Sequence, residues 1–335
     1  MREPVWGEHC PWTADKAMRS ISPRPTTGTP EWLPQRGVSV ALTVLSRAKI
    51  NLSLDVVGTR PDGYHEIASV MQSLALGDVL TFEHRPRGVS LEVCGKPVAA
   101  GEKNLVLMAA RLFAALTGCR RGAAITLRKN IPVAAGLGGG SADAAGTLIG
   151  LNRLWGLDRD TRFLRGLGAR LGADVPFCVT GGTALATGLG EELAQLPPLP
   201  ELCVLLLKPS YEVSTAAVYR AYDDLGRVRP PVAREMAEAL RRNKWRDALQ
   251  KCCNALEDVT FKQHPDLKQL KRKLMEAGAV CALMSGSGPT VFGVFETVRE
   301  ADAAGSLFRA GGIEVIVTAT SDRGVVFENS VGSRQ

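Results

Sequence analysis

No apolar run in this 335-residue chain approaches the roughly 20 residues that a membrane-spanning helix needs, so no membrane is expected among its partners. Histidine is scarce. The four present (His9, His65, His84 and His264) are too scattered to suggest a metal cluster. None of the eight cysteines (Cys10, Cys94, Cys119, Cys178, Cys203, Cys252, Cys253 and Cys281) sits in a C-x-x-C pair. Several lie in apolar, strand-like runs. Free thiols in a reducing cytosol fit this better than disulfides or zinc, and a cytoplasmic location is the expectation. Aromatic residues make up only 5%. The small basic runs at residues 241–246 and 268–273 therefore lack the stacking platforms of a nucleic-acid reader, and they read as solvated helix faces. No nucleic acid is expected to bind. A formal charge of +7 suits an anionic small molecule without identifying one.

The length exceeds what one compact core usually holds, so two domains are expected. Residues 1–42 read differently from the rest. Pro4, Pro11, Pro23, Pro25, Pro30 and Pro34 break any periodicity, and no unbroken apolar stretch provides a secretory signal. This segment reads as a disordered extension, or as translation assigned from too early a start codon. Residues 43–200 read as a first domain and 201–331 as a second, with the proline-rich stretch 197–200 at the junction. Irregularly mixed helices and strands suggest an α+β fold rather than a doubly wound sheet.

Five segments carry chemistry. Pro132, Val133, Ala134, Ala135, Gly136, Leu137, Gly138, Gly139, Gly140, Ser141 and Ala142 lead into a helix expected over 141–155, with Ser141 a good N-cap. Glycine lets backbone approach a ligand closely, and helix amides favour a phosphate. A flexible turn capping an ordinary helix would read the same. No lysine follows the glycines as a Walker loop requires, and the third glycine of a Rossmann fingerprint is missing. Ser285, Gly286, Ser287 and Gly288 form a second small-residue loop between two short strands, either an anion nest or a plain hairpin. On a strand expected over 48–56, Lys49 and Asn51 share a face, either a site or a solvent-facing polar edge. Asp174, between Gly172 and Pro176, reads as a general base, an ion-pair partner or a helix cap. Tyr64 and His65 follow an Asp62-Gly63 turn, where a ring and an imidazole could meet a base.

In order and spacing these segments resemble the kinase superfamily of galactokinase, homoserine kinase, mevalonate kinase and phosphomevalonate kinase. In detail they are similar to its 4-diphosphocytidyl-2-C-methyl-D-erythritol kinase family. The matching residues are Ala48 to Leu52, Asp62 to His65, Gly136 to Asn152, Gly172 to Phe177, Asn254 to Glu257 and Met284 to Phe295, and the resemblance runs from about residue 45 to 328.

It implies transfer of the γ-phosphoryl of ATP, with Mg2+, to the tertiary hydroxyl at carbon 2 of the cytidine-diphosphate substrate, a step of non-mevalonate isoprenoid synthesis. It implies an N-terminal ribosomal-protein-S5-like domain, a C-terminal ferredoxin-like domain and a site in the cleft between them. By the same resemblance Asp174 is the catalytic base and Lys49 its companion. Asn51, Tyr64 and His65 hold the cytidine substrate. The loop from Pro132 to Ala142 cradles the ATP phosphates, and Asn104 and Leu105 lie near the adenine. Two departures stand out: Ala142 replaces the second serine of many members, and Cys252 stands where an aromatic often precedes the matched Asn254. No magnesium ligand is identified. Another kinase of the superfamily is the alternative enzyme, against which Tyr64-His65 and the 172–177 segment speak. A ligand sensor on the same fold is the other, against which the presence of both Lys49 and Asp174 speaks.

Overall fold

The structure, a computed structural model, describes residues 41–98, 101–226, 230–309 and 312–328. The proline-broken N-terminal segment lies outside the described residues up to position 40. From Ala41 onward the chain forms one compact unit. In chain order the first half contains β1 (Leu42–Asn51), β2 (Ser53–Thr59), β3 (His65–Arg85), β4 (Val89–Gly95), α1 (Leu105–Thr117), β5 (Gly122–Lys129), α2 (Gly139–Leu154), α3 (Thr161–Ala169), α4 (Val175–Thr180), β6 (Thr183–Thr187) and β7 (Glu192–Gln195). The second half contains β8 (Cys203–Lys208), α5 (Thr215–Asp223), α6 (Ala233–Arg241), α7 (Trp245–Leu249), β9 (Cys253–Asn254), α8 (Glu257–Gln263), α9 (Pro265–Glu276), β10 (Cys281–Met284), β11 (Val291–Phe295), α10 (Val298–Ser306), β12 (Glu314–Ser321) and β13 (Val325–Glu328). The expected junction near residue 200 falls in the connection between β7 and β8.

Local chemistry explains several boundaries. The Asn104 side chain accepts the Val106 amide to open α1, and Gly118 in the left-handed region closes it. Thr297 and Glu300 form a reciprocal capping box on α10. Pro265 starts α9, where its missing amide costs nothing.

Strand pairing is mostly antiparallel, as an α+β fold requires. Along the sheet the order is β10-β11-β8-β12-β3-β1-β13. The hub is β3, which pairs with β1, β2, β5, β6 and β12 along its length. The sequence reads as two strands here, over 67–76 and 79–83, but one strand runs through. Gly77 permits it: a Cβ there would stand 2.7 Å from the Ser46 carbonyl oxygen. Conversely, the single strand expected over 48–56 divides at Leu52. Its first part, in β1, pairs with Met71–Ser73 of β3, and its second, in β2, with Ile67–Ala68 and with β9.

Two hydrophobic cores form, and β8 belongs to both. Val204 and Leu206 face the first core, while Cys203, Leu205 and Leu207 face the second. A continuous apolar run is what a strand buried on both faces demands. Asp55 on β2 ties the halves by accepting the Val232 and Ala233 amides at the start of α6 (2.8 and 2.7 Å). The described cysteines form no disulfide, and Cys252 Sγ lies 3.2 Å from Cys281 Sγ. Among the described residues no helix is long and apolar enough to cross a membrane.

Candidate active site

The site begins at a bulge in β1, where the register against β3 shifts between Arg47 and Lys49. There the Lys49 amide leaves the ladder and donates to the Leu137 carbonyl of the glycine loop (3.0 Å). Its side chain runs beneath that loop, and a Cβ on Gly138 would lie 2.9 Å from Lys49 Cγ. Lys49 Nζ then meets Asp174 Oδ2 at 3.1 Å and donates to Asn51 Oδ1 at 2.9 Å. Asn51 Nδ2 donates in turn to Ser69 Oγ, which donates to the Ser53 carbonyl (2.8 and 2.6 Å). Lys49 and Asn51 do share one face, as the strand period predicts. That face is covered rather than solvated, and both residues are buried. The polar-edge reading fails because the loop and Asp174 close over it.

Asp174 immediately precedes α4, yet its side chain makes no capping bond. Its carboxylate, 30% exposed, is turned to Lys49 instead. The cap reading is therefore set aside, and the ion-pair reading holds. A charged oxygen beside an anchored ammonium, open to solvent on one side, is equipped to take a proton from a bound hydroxyl.

The helix after the glycine loop starts earlier than expected. Gly138 is its N-cap, with φ of 68°, and Ser141 lies within the first turn. Gly138 offers no side chain to cap the helix, so the first-turn amides of α2 are left to an external partner. Residue 138 must lack a Cβ because Lys49 passes there, a constraint separate from any ligand.

The two glycine loops touch. Ser285 Oγ donates to the Gly136 carbonyl (2.9 Å), and a Cβ on Gly136 would strike the Ser285 carbonyl at 2.2 Å. Gly286 lies near Asn51, whose Oδ1 would be 3.6 Å from a Cβ there. The second loop is a hairpin between β10 and β11, as the bland reading has it, but it also braces the first loop. Thr215 and Ser287 hydroxyls bond at 2.8 Å and bring α5 alongside. Buried Asn254 holds the hairpin by donating to the Met284 and Gly286 carbonyls (2.8 and 2.7 Å) and accepting the Leu256 amide (2.9 Å). Asn254→Ala leaves these groups buried without partners. A cost of about 2–4 kcal/mol, or roughly 5–10 °C in Tm, is expected by thermal melting. An unchanged Tm would show that the amide does not hold the hairpin.

Tyr64 lies exposed beyond the turn, its amide bonded to Asp62 Oδ1 (3.1 Å). The His65 ring stacks on Tyr219 (centroids 4.7 Å apart), and its Nε2 donates to Asp223 Oδ1 (2.6 Å). Tyr219 joins this corner to the ion pair: burial first, then the Asp174 carboxylate, push its phenol well up. Sequence reasoning misses Tyr219 and Asp223, although their spacing of four on α5 puts them on one helix face. Leu105 also borders the loop, its Cδ1 3.2 Å from a Cβ on Gly140, while Asn104 serves as the α1 cap. First-turn amides at Gly139–Ser141 without a side-chain cap, at the start of a long helix, fit a phosphate chain. Among the described residues no group of three or more His, Cys, Asp or Glu side chains is placed to hold a metal ion.

Comparison with known proteins agrees with this geometry. Residues 104–182 match the GHMP kinases N terminal domain, and residues 234–312 match the GHMP kinases C terminal domain. The 4-diphosphocytidyl-2-C-methyl-D-erythritol kinase of Pelotomaculum thermopropionicum is 48% identical over 84% of this chain and 98% of its own. That of Moorella thermoacetica is 46% identical over 83% and 99%. Among solved structures, a 4-(cytidine 5'-diphospho)-2C-methyl-D-erythritol kinase superposes with a TM-score of 0.69 at 35% identity, covering 83% of this chain and 99% of that one. A homoserine kinase from Cytophaga hutchinsonii reaches the same TM-score at 18% identity over 88% of this chain and all of that one, a likeness of fold alone. With its two-domain α+β kinase fold, the chain belongs to the 4-diphosphocytidyl-2-C-methyl-D-erythritol kinase family of the GHMP kinases.

Proposed function

We propose that this protein transfers the γ-phosphoryl group of ATP to the 2-hydroxyl of 4-(cytidine 5'-diphospho)-2-C-methyl-D-erythritol, a step of non-mevalonate isoprenoid synthesis. The observation that carries the reading is the Lys49–Asp174 ion pair set directly beneath a glycine loop whose helix amides lack a side-chain cap. Asp174 Oδ accepts the hydroxyl proton as the new phosphorus–oxygen bond forms. Lys49, fixed by Asn51 and by its own backbone bond to Leu137, aims that carboxylate. The amides of Gly139, Gly140 and Ser141 bind the phosphate chain and the dipole of α2 favours its charge. Phosphoryl transfer asks little more of a protein than such positioning and charge stabilisation. Magnesium is expected to arrive on the phosphates, held mainly by them and by water. The acidic side chains here form no dedicated site, and no step is assigned to it.

At the acceptor end, Tyr64, His65 and Tyr219 offer aromatic and imidazole surfaces to a cytosine, with Asn51 bonded to Lys49 of the ion pair. The test is ATP-dependent phosphorylation of a panel holding the cytidine-diphosphate compound, homoserine and mevalonate. Turnover with the cytidine compound alone is expected. Turnover with homoserine or mevalonate instead would assign another superfamily reaction, and none with any acceptor would favour a sensor.

A further inference from the structure

Below the glycine loop lies a charged cluster that the reaction does not use. Lys129 ends β5 and is buried, as are Asp78 on β3 and Asp143 on α2. Lys129 Nζ donates to Asp78 Oδ2 and, at 2.8 Å, to Asp143 Oδ2. The other Asp78 oxygen accepts the amides of Asn130 and Ile131 (2.6 and 2.8 Å), the two residues that lead into Pro132. Asp143 lies four residues beyond the start of α2. One ammonium therefore joins the entry of the loop to its exit. It does so at close quarters, because a Cβ on Gly139 would lie 3.2 Å from Lys129 Nζ.

We infer that Lys129, bridging Asp78 and Asp143, is the positioning residue for the nucleotide: it fixes the glycine loop from below so that its amides meet the phosphates. The inference rests on the reading that the ATP phosphates lie on this loop. Charge supports the role. Burial pushes the Asp143 carboxyl well up, Lys129 pulls against that, and Asp78 adds to it. The cluster thus leans toward neutrality beneath an anion site instead of opposing it. Asp143 Oδ1 has no hydrogen-bond partner, so the carboxyl is held through Oδ2, on the side facing Lys129.

The experiment compares Asp143→Ala, Asp143→Asn, Lys129→Met and Gly140→Asp by melting temperature, steady-state kinetics and calorimetric titration with ATP in the absence of acceptor. Asp143→Ala leaves Lys129 paired with Asp78 and puts a good helix former in α2, so it folds. It is expected to raise the ATP KM and Kd roughly tenfold, with the acceptor KM and the turnover at saturating ATP within about twofold of wild type. Asp143→Asn retains an oxygen for Lys129 and restores both constants. Lys129→Met, where it folds, exceeds Asp143→Ala. Gly140→Asp places a carboxylate in the exposed first turn, which the helix tolerates but a phosphate does not. If Gly140→Asp weakens ATP while Asp143→Ala and Lys129→Met leave its KM within about twofold, the positioning role is overturned. Equal rises in both substrate KM values for Asp143→Ala overturn it too. If Gly140→Asp itself leaves ATP affinity unchanged, the phosphates do not lie on this loop and the underlying reading fails.

Discussion

Asp174→Asn is expected to lower turnover by roughly 10²–10⁴ while leaving ATP affinity near that of the unaltered protein. The substitution keeps the shape of the side chain and an oxygen for Lys49 Nζ, which lies 3.1 Å from Asp174 Oδ2. What it removes is the charge proposed to accept the hydroxyl proton. Asp174 does not cap α4, so the helix loses nothing by the change. Lys49→Met is expected to cut turnover as well, because the carboxylate then loses the group that aims it. Here the fold is more exposed to damage: Lys49 is buried, threads under Gly138 and bonds to Asn51. Its melting temperature has to be read beside its kinetics. In the double variant the losses should fall short of the product of the two, since the residues act as a unit. Steady-state kinetics of the three variants with parallel ATP titrations decide the matter. Near-normal turnover in Asp174→Asn would remove this residue from the chemistry.

Where the sequence is legible, a local rule and the global fold agree. Helical spacing over 104–117, stopped by Gly118, gives α1 to within one residue, and the continuous apolar run over 202–207 gives the core strand β8. The glycine loops and Asp174 are visible because small residues and an isolated carboxylate stand out against their neighbours. What stays hidden depends on contacts far along the chain. Lys49 and Asn51 alternate with apolar residues, a pattern that cannot tell a solvated face from one covered by a loop some 90 residues later. The start of α2 is misplaced for a related reason. Ser141 is the better cap by propensity, but the Lys49 side chain fills the space at Gly138 and lets the helix begin there. Charged residues such as Asp55, Asp78, Lys129 and Asp143 read as surface until the sheet closes over them. Short strands such as β6 and β7 carry too few residues for a period to register. The expected division into 43–200 and 201–331 remains a proposal about folding units. Its halves are joined by β12 pairing with β3 and by Asp55 of β2 accepting the amides at the start of α6.

The acceptor end yields the other large effect. His65→Ala should raise the KM for the cytidine-diphosphate substrate roughly ten- to a hundredfold and leave the ATP KM within about twofold. His65 is the first residue of β3, and its ring is placed by contacts from another part of the chain. Tyr219 stacks on it and Asp223 accepts a hydrogen bond from its Nε2, both from one face of α5. Removing the imidazole therefore frees the turn at Asp62 and Gly63 from α5 and strips the Tyr219 ring of its neighbour. The nucleotide end is insulated from this, because the glycine loop is held by Lys49, Ser285 and the cluster around Lys129. A split between the two substrates follows from that separation. Asp223→Asn serves as the companion variant: it keeps a hydrogen-bonding side chain at the same place and should give a smaller rise of the same kind. If His65→Ala leaves the acceptor KM unchanged and weakens only ATP, then this corner belongs to the nucleotide, and the positions of the two substrates must be exchanged.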